Sequence, residues 1–173
     1  MSKAFTRESD DSPDDPSPLR PVSSLPPGAK NYLTADGARR LRLELDHLIQ
    51  IDRPQAAALP DPDTARRRGQ LLDQRIAALD QSLRSAVIVS PPAGPEEKVR
   101  FGTAVTVRDR SGQETTCRIV GVDETDPERG WVSWCSPVAR ALLNGRVGQR
   151  VRLQLPEGDQ ELEILRIGWP SVS

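Results

Sequence analysis

Apolar positions recur along this chain with two different periods, and the change of period divides it in two. Leu41, Leu45 and Leu48 are spaced four and three apart, while Arg39, Arg40, Arg42, Glu44 and Asp46 fill the other faces. That spacing puts the leucines on one narrow stripe of a 3.6-residue helix. Thr34 suits the N-cap, and Asp36 the first turn, where a carboxylate meets the positive end of the helix dipole. Pro54 has no amide hydrogen and its ring crowds the preceding turn, so the helix is expected to kink or end its regular part there. Pro60-Asp-Pro-Asp-Thr64 reads as a turn. A second seam follows at Leu72, Ile76, Leu79 and Leu83, again with the four-three spacing of a coiled-coil face. Two such helices and a short turn predict an antiparallel helical hairpin over residues 31–89, with arms about 30 Å long at 1.5 Å per residue.

Beyond Ser90-Pro-Pro-Ala-Gly-Pro95 the period becomes two, most clearly at Val151, Leu153 and Leu155 and at Leu162 and Ile164. Five strand candidates follow: 101–108, 115–120, 131–135, 149–155 and 160–167. Asp109-Arg-Ser-Gly112 and Pro156-Glu-Gly-Asp159 supply hairpin turns. Ser136 can cap one short helix and Pro137 suits its first position, because neither position needs an intrahelical amide partner. The expected fold class is α+β: a helical hairpin, a linker at 90–97, and a small antiparallel β domain with one short helix at 98–169. The proline-rich linker is expected to leave the two modules with separate cores. Residues 1–30 hold six prolines, the pairs Asp10-Asp11 and Asp14-Asp15 and little to bury, and so read as a disordered leader.

Composition narrows the function classes. Hydrophobic residues make up 36% of the 173 and aromatics 3%, which disfavours a single large core. The net charge of -1, with both signs interspersed, argues against a dedicated duplex-DNA binder, which would carry a basic excess. No apolar run approaches a membrane span and no apolar signal core opens the chain, so the expected location is cytoplasmic, away from membranes. Cys117 and Cys135 lie in separate strand-like segments and His47 is the sole histidine, which leaves no ligand set for a metal; a disulfide gains nothing from that context, and the cysteines read as small buried hydrophobes.

Two ordered stretches carry a resemblance. Ile119-Val-Gly-Val-Asp-Glu124 and Ser136-Pro-Val-Ala-Arg-Ala-Leu-Leu143 resemble the C-terminal domain of the Gre factors, bacterial transcription elongation factors, and within them the GreB-like members. Met1–Asp11 and Lys30–Thr34 resemble the leader of some GreB-like proteins. The resemblance implies an FKBP-like fold for residues 98–169 and a coiled coil for the hairpin. It also implies one partner, bacterial RNA polymerase, gripped at the rim of its secondary channel while the hairpin enters. The residues it marks for that dock are Asp123, Glu124, Ser136, Pro137 and Arg140, with Asp123 and Glu124 expected as exposed loop carboxylates. Trp131 and Trp134, three positions apart on a strand, should face opposite ways, one into the core and one outward to an interface. In this family the chemistry is the polymerase's, and acids at the hairpin tip help hold a second Mg²⁺ there. The chain is thus expected to have no catalytic residue and no cofactor of its own, to meet nucleic acid only through the elongation complex, and to be a monomer.

One departure from the family changes the expected activity. Its tip pattern, Gly-Asp-x-x-Glu-Asn-Ala-Asp-Tyr, is absent, and the chain passes from Arg53-Pro54 to Leu72-Asp-Gln-Arg-Ile76 with several helical turns fewer. Asp61 and Asp63 in the new turn could stand in for the missing acids at Mg²⁺, but Asp-Pro-Asp-Thr is also ordinary turn and cap chemistry, in which Asp63 or Thr64 satisfies free amides at the start of the second helix. Arg66, Arg67 and Arg68 likewise either meet RNA phosphates or acidic polymerase groups, or form a solvated face. The expected function is an elongation regulator that docks on RNA polymerase and stimulates transcript cleavage weakly. The alternatives are a cleavage-stimulating factor using Asp61 and Asp63, a peptidyl-prolyl isomerase, and a pure interaction module.

Overall fold

The computed structural model describes residues 25–90, 96–156 and 158–169. Most of the expected leader and linker, residues 1–24 and 91–95, lies outside the described residues. Strand β1 (Asn31–Thr34) leads into helix α1 (Ala35–His47), and the Thr34 hydroxyl caps it by accepting the Gly37 N–H at 2.9 Å. The helical path then widens into a π turn (Leu48–Asp52), in which the Arg53 N–H reaches back five residues to the Leu48 carbonyl. Helix α2 (Arg53–Ala57) continues it past Pro54. The wider turn absorbs the proline, whose ring would otherwise meet the carbonyl four residues earlier, and the arm goes on for another turn.

The second arm is α3 (Pro62–Ser85), 24 residues long. Leu41, Leu48, Ala56, Leu72 and Leu79 are buried between the arms, with Leu45, Ile76 and Leu83 packed beside them. Fully burying a leucine stabilises by about 1.5–3 kcal/mol, so this narrow seam supplies most of what holds the arms together. Arg75 pairs with Glu44 at 2.7 Å and Arg53 with Asp73 across the outside. The Arg53–Asp73 pair is exposed and aligns the arms more than it stabilises them, whereas the Arg75 guanidinium is mostly buried against Glu44. At the root, β2 (Ala86–Val89) pairs in parallel with β1, Asn31 opposite Ala86, a ribbon the apolar spacing did not announce.

The β domain is one five-stranded sheet of β3 (Ala104–Arg108), β4 (Glu114–Val120), β5 (Trp131–Ser133), β6 (Arg150–Leu153) and β7 (Gln160–Gly168), in spatial order β5-β4-β3-β7-β6. Three pairings are antiparallel, but β5 runs parallel to β4, with Arg118 opposite Trp131. The expected all-antiparallel sheet is therefore corrected at one edge. Two 3-10 turns, Val122–Glu124 and Pro127–Arg129, carry the chain back before β5 begins, so it re-enters in the direction of β4. In the β3–β4 turn the Asp109 carboxylate accepts the Ser111 and Gln113 N–H groups at 2.9 Å each, and Gly112 takes a φ of 87° that a side chain would resist. Helix α4 (Pro137–Leu142) lays Ala139 and Leu142 on a core of Val99, Val105, Ile119, Val151, Leu153 and Ile164. Ser136 caps α4 as expected, its hydroxyl accepting the Ala139 N–H at 3.2 Å.

Candidate functional site

β4 ends at Val120, and Gly121-Val-Asp-Glu124 turns the chain directly under the root of the hairpin. Glu124 is 3% exposed. Its carboxylate accepts the Thr34 N–H at 2.9 Å, the Gly121 N–H at 3.0 Å and the Thr34 hydroxyl. A buried carboxylate is tolerable only when its lone pairs find donors, and here three converge on it. The fit leaves no spare volume: a Cβ on Gly37 would lie 1.8 Å from Glu124 Oε1, and one on Gly121 would lie 2.3 Å from the Tyr32 carbonyl oxygen. Glu124 is thus not the exposed loop carboxylate expected of it. Its neighbour Asp123, half-buried, accepts the Ser82 hydroxyl from the last turns of α3.

The two tryptophans complete the same junction. Arg40 of α1 stands over the Trp131 ring at 4.2 Å, with Arg118 and Arg129 each at 5.3 Å. Burial pushes the Arg40 guanidinium below its ordinary value, and the Glu124 carboxylate nearby opposes that shift. Trp134 meets Tyr32 edge-on at 5.6 Å, and Tyr32 meets Phe101 at 5.8 Å. Both tryptophans are half-buried, so the expected split into one core and one exposed ring does not occur. The hairpin root covers the side of β5 that an isolated domain would leave open. The two apolar cores stay separate, one in the hairpin and one in the β domain, but the modules touch at this junction, where Arg118 also pairs with Asp36 of α1 at 3.7 Å.

The five residues marked for docking are therefore divided. Ser136, Pro137 and Arg140 share α4, where Pro137 and Arg140 are exposed and Ser136 is half-buried with its hydroxyl engaged as a cap. Asp123 and Glu124 instead face the hairpin. Of the other residues of this junction, Thr34 and Arg40 read in the sequence only as a helix cap and a polar face, and Gly37 carries no expectation of its own there. A glycine in the first turn of an otherwise well-formed helix was the signal that could have found it.

At the opposite end of the hairpin Asp61 caps α3, its carboxylate accepting the Thr64 N–H at 2.8 Å. The hydrogen bonds from Thr64 hold the Asp61 carboxyl below its usual range. Asp63 is exposed in the first turn, Arg66 and Arg67 are exposed and Arg68 is half-buried. Among the described residues no group of three or more His, Cys, Asp or Glu could hold a metal ion. At the tip the Asp61 carboxylate is committed to the backbone and the Asp63 carboxylate stands exposed beside it. No described helix is long and apolar enough to cross a membrane.

Residues 94–168 match the family model for the C-terminal part of the transcription elongation factors GreA and GreB. The chain is 37% identical to the elongation factor GreB of Neisseria meningitidis, over 81% of this chain and 94% of that protein. It is equally 37% identical to GreA of Alkalilimnicola ehrlichii, over 82% and 99%. The GreB alignment has 154 positions, whereas 81% of 173 residues is about 140, so about 14 positions of that relative have no counterpart here. The GreA alignment differs likewise, 156 positions against about 142 residues. Among solved structures, GreA factor homolog 1 of Thermus thermophilus is 24% identical with a TM-score of 0.38, covering 81% of this chain and 99% of that one. A GreA/GreB factor of Nitrosomonas europaea is 22% identical with a TM-score of 0.40, covering 81% and 100%. These scores are too low to carry an argument, but the sequence relationships suffice, and the chain belongs to the GreA/GreB family of transcription elongation factors.

Proposed function

We propose that this protein binds bacterial RNA polymerase at the secondary channel, directs its hairpin inward, and stimulates transcript cleavage weakly or not at all. The observation that carries the proposal is the tip: Asp61 is committed to the Thr64 amide, three arginines follow it, and the family's acidic pattern is missing. The deficit of about 14 aligned positions deepens it. Assigned to the hairpin, as the missing tip pattern implies, and divided equally between its arms, this deficit amounts to about seven residues each, one heptad, which would keep the seam in register and shorten the reach by about 10 Å. Magnesium–oxygen bonds of about 2.1 Å tolerate no such gap. Any cleavage would be the polymerase's own chemistry, so the protein is not an enzyme by itself and carries no cofactor. The heptad seam supports a coiled-coil hairpin, and the five-stranded sheet under one short helix supports an FKBP-like β domain. Pro137 and Arg140, exposed on α4, are the docking residues this arrangement favours. A prolyl-isomerase pocket is disfavoured, because Phe101, Trp131 and Trp134 are taken up at the hairpin root.

The test is a backtracked elongation complex incubated with the protein and Mg²⁺. RNA should shorten no faster than with polymerase alone, and a full-length Gre factor should be displaced by competition. Cleavage that disappears in the double variant Asp61→Ala, Asp63→Ala would establish the active-tip alternative. Absence of both cleavage and competition would remove polymerase as the partner.

A further inference from the structure

Asp123 and Glu124 are adjacent, yet each holds a different arm of the hairpin. Glu124 takes the Thr34 amide and hydroxyl at the entry to α1, and Asp123 takes the Ser82 hydroxyl near the end of α3. The Thr34 hydroxyl serves both sides at once, donating to Glu124 while accepting the Gly37 N–H, so the α1 cap and the domain contact are one hydrogen-bonded chain. A body held at two separated points can neither swing nor twist freely, and the Arg40 guanidinium over Trp131 adds a third point. We infer that Glu124 is a positioning residue: buried and facing no partner, it holds the hairpin in one direction relative to the β domain, and productive engagement of polymerase depends on that direction. The second half rests on the proposed docking; the first does not.

Glutamine has nearly the same shape as glutamate but turns an NH₂ group toward donors, so Glu124→Gln leaves at least one buried donor unsatisfied. Gly37→Ala attacks the same contact from the other side, since its Cβ would displace the Glu124 carboxylate. Spin labels at Ala58→Cys on the hairpin turn and Gln113→Cys at the far end of the sheet, in a Cys135→Ser background with Cys117 left buried, report the direction as a distance distribution. The parent should give one narrow distance, and both variants a broadened one with hydrogen exchange of the β core unchanged. A distribution as narrow as the parent's in Gly37→Ala overturns the inference, and it decides the matter even if Glu124→Gln fails to fold. For polymerase, a hairpin correctly aimed in one molecule in ten should weaken apparent affinity about tenfold. Full affinity in a variant with a broadened distance overturns the functional half. If the parent itself does not bind polymerase, the proposed docking fails, while the distance measurement on the free protein still tests the clasp.

Discussion

Replacing Leu79 with alanine asks whether hairpin and β domain melt together. Leu79 is 2% exposed and lies in the cluster that joins α1 to α3, near the root where the arms meet the sheet. Truncating a buried leucine removes its transfer free energy and leaves a cavity, and such changes cost about 2–5 kcal/mol. With two flanking helices able to relax, about 3 kcal/mol is the fitting value, and at a urea slope of about 2 kcal/mol per molar the midpoint should fall by about 1.5 M. Two probes separate the modules. Far-UV circular dichroism at 222 nm follows the hairpin helices, whereas all three tryptophans, Trp131, Trp134 and Trp169, lie in the β domain and dominate fluorescence. Because the clasp ties the two together, both probes should shift by the same amount and coincide, as a cooperative unit requires. A fluorescence transition that stays in place while the dichroism moves would refute the coupling and restore two independent modules. Leu71→Ala, at a site 55% exposed, is the matched control and should change stability by less than about 0.5 kcal/mol.

Other outcomes follow from single groups. Asp61 has its folded-state pKa depressed, so its cap is intact above the ordinary carboxylate value and is lost as pH falls through the lower folded value. The Thr64 amide shift in NMR should titrate with a midpoint below 3.8 and flatten in Asp61→Asn; a midpoint at or above 3.8 would contradict the cap. Burial pushes the Cys117 thiol up while Cys135 is half-exposed, so a thiol reagent at pH 8 should modify Cys135 first and reach Cys117 only on unfolding, with mass mapping as the readout. Equal rates at the two sites would mean that β4 opens in the folded protein.

Short-range chemistry was legible in the residues themselves. The four-three leucine spacing, the caps at Thr34 and Ser136 and the Asp109 turn all depend on neighbours within about five positions, so their geometry is set by the local backbone. The cap of α3 was expected from Asp63 or Thr64, and the structure places it on Asp61, whose carboxylate accepts the Thr64 N–H. Pro54 was recognised as a disturbance but not as one a π turn could absorb, because that depends on whether the second arm holds the helix together beyond it. The parallel placement of β5 and the β1–β2 ribbon were hidden, since strand direction and register are chosen between segments remote in the chain. Glu124 is the clearest case. Alone it reads as a solvated loop carboxylate, and the donors that make its burial favourable include Thr34, 90 residues earlier. Spacing along a chain can announce which face of a helix is apolar, but only tertiary structure brings a buried charge to the groups that satisfy it.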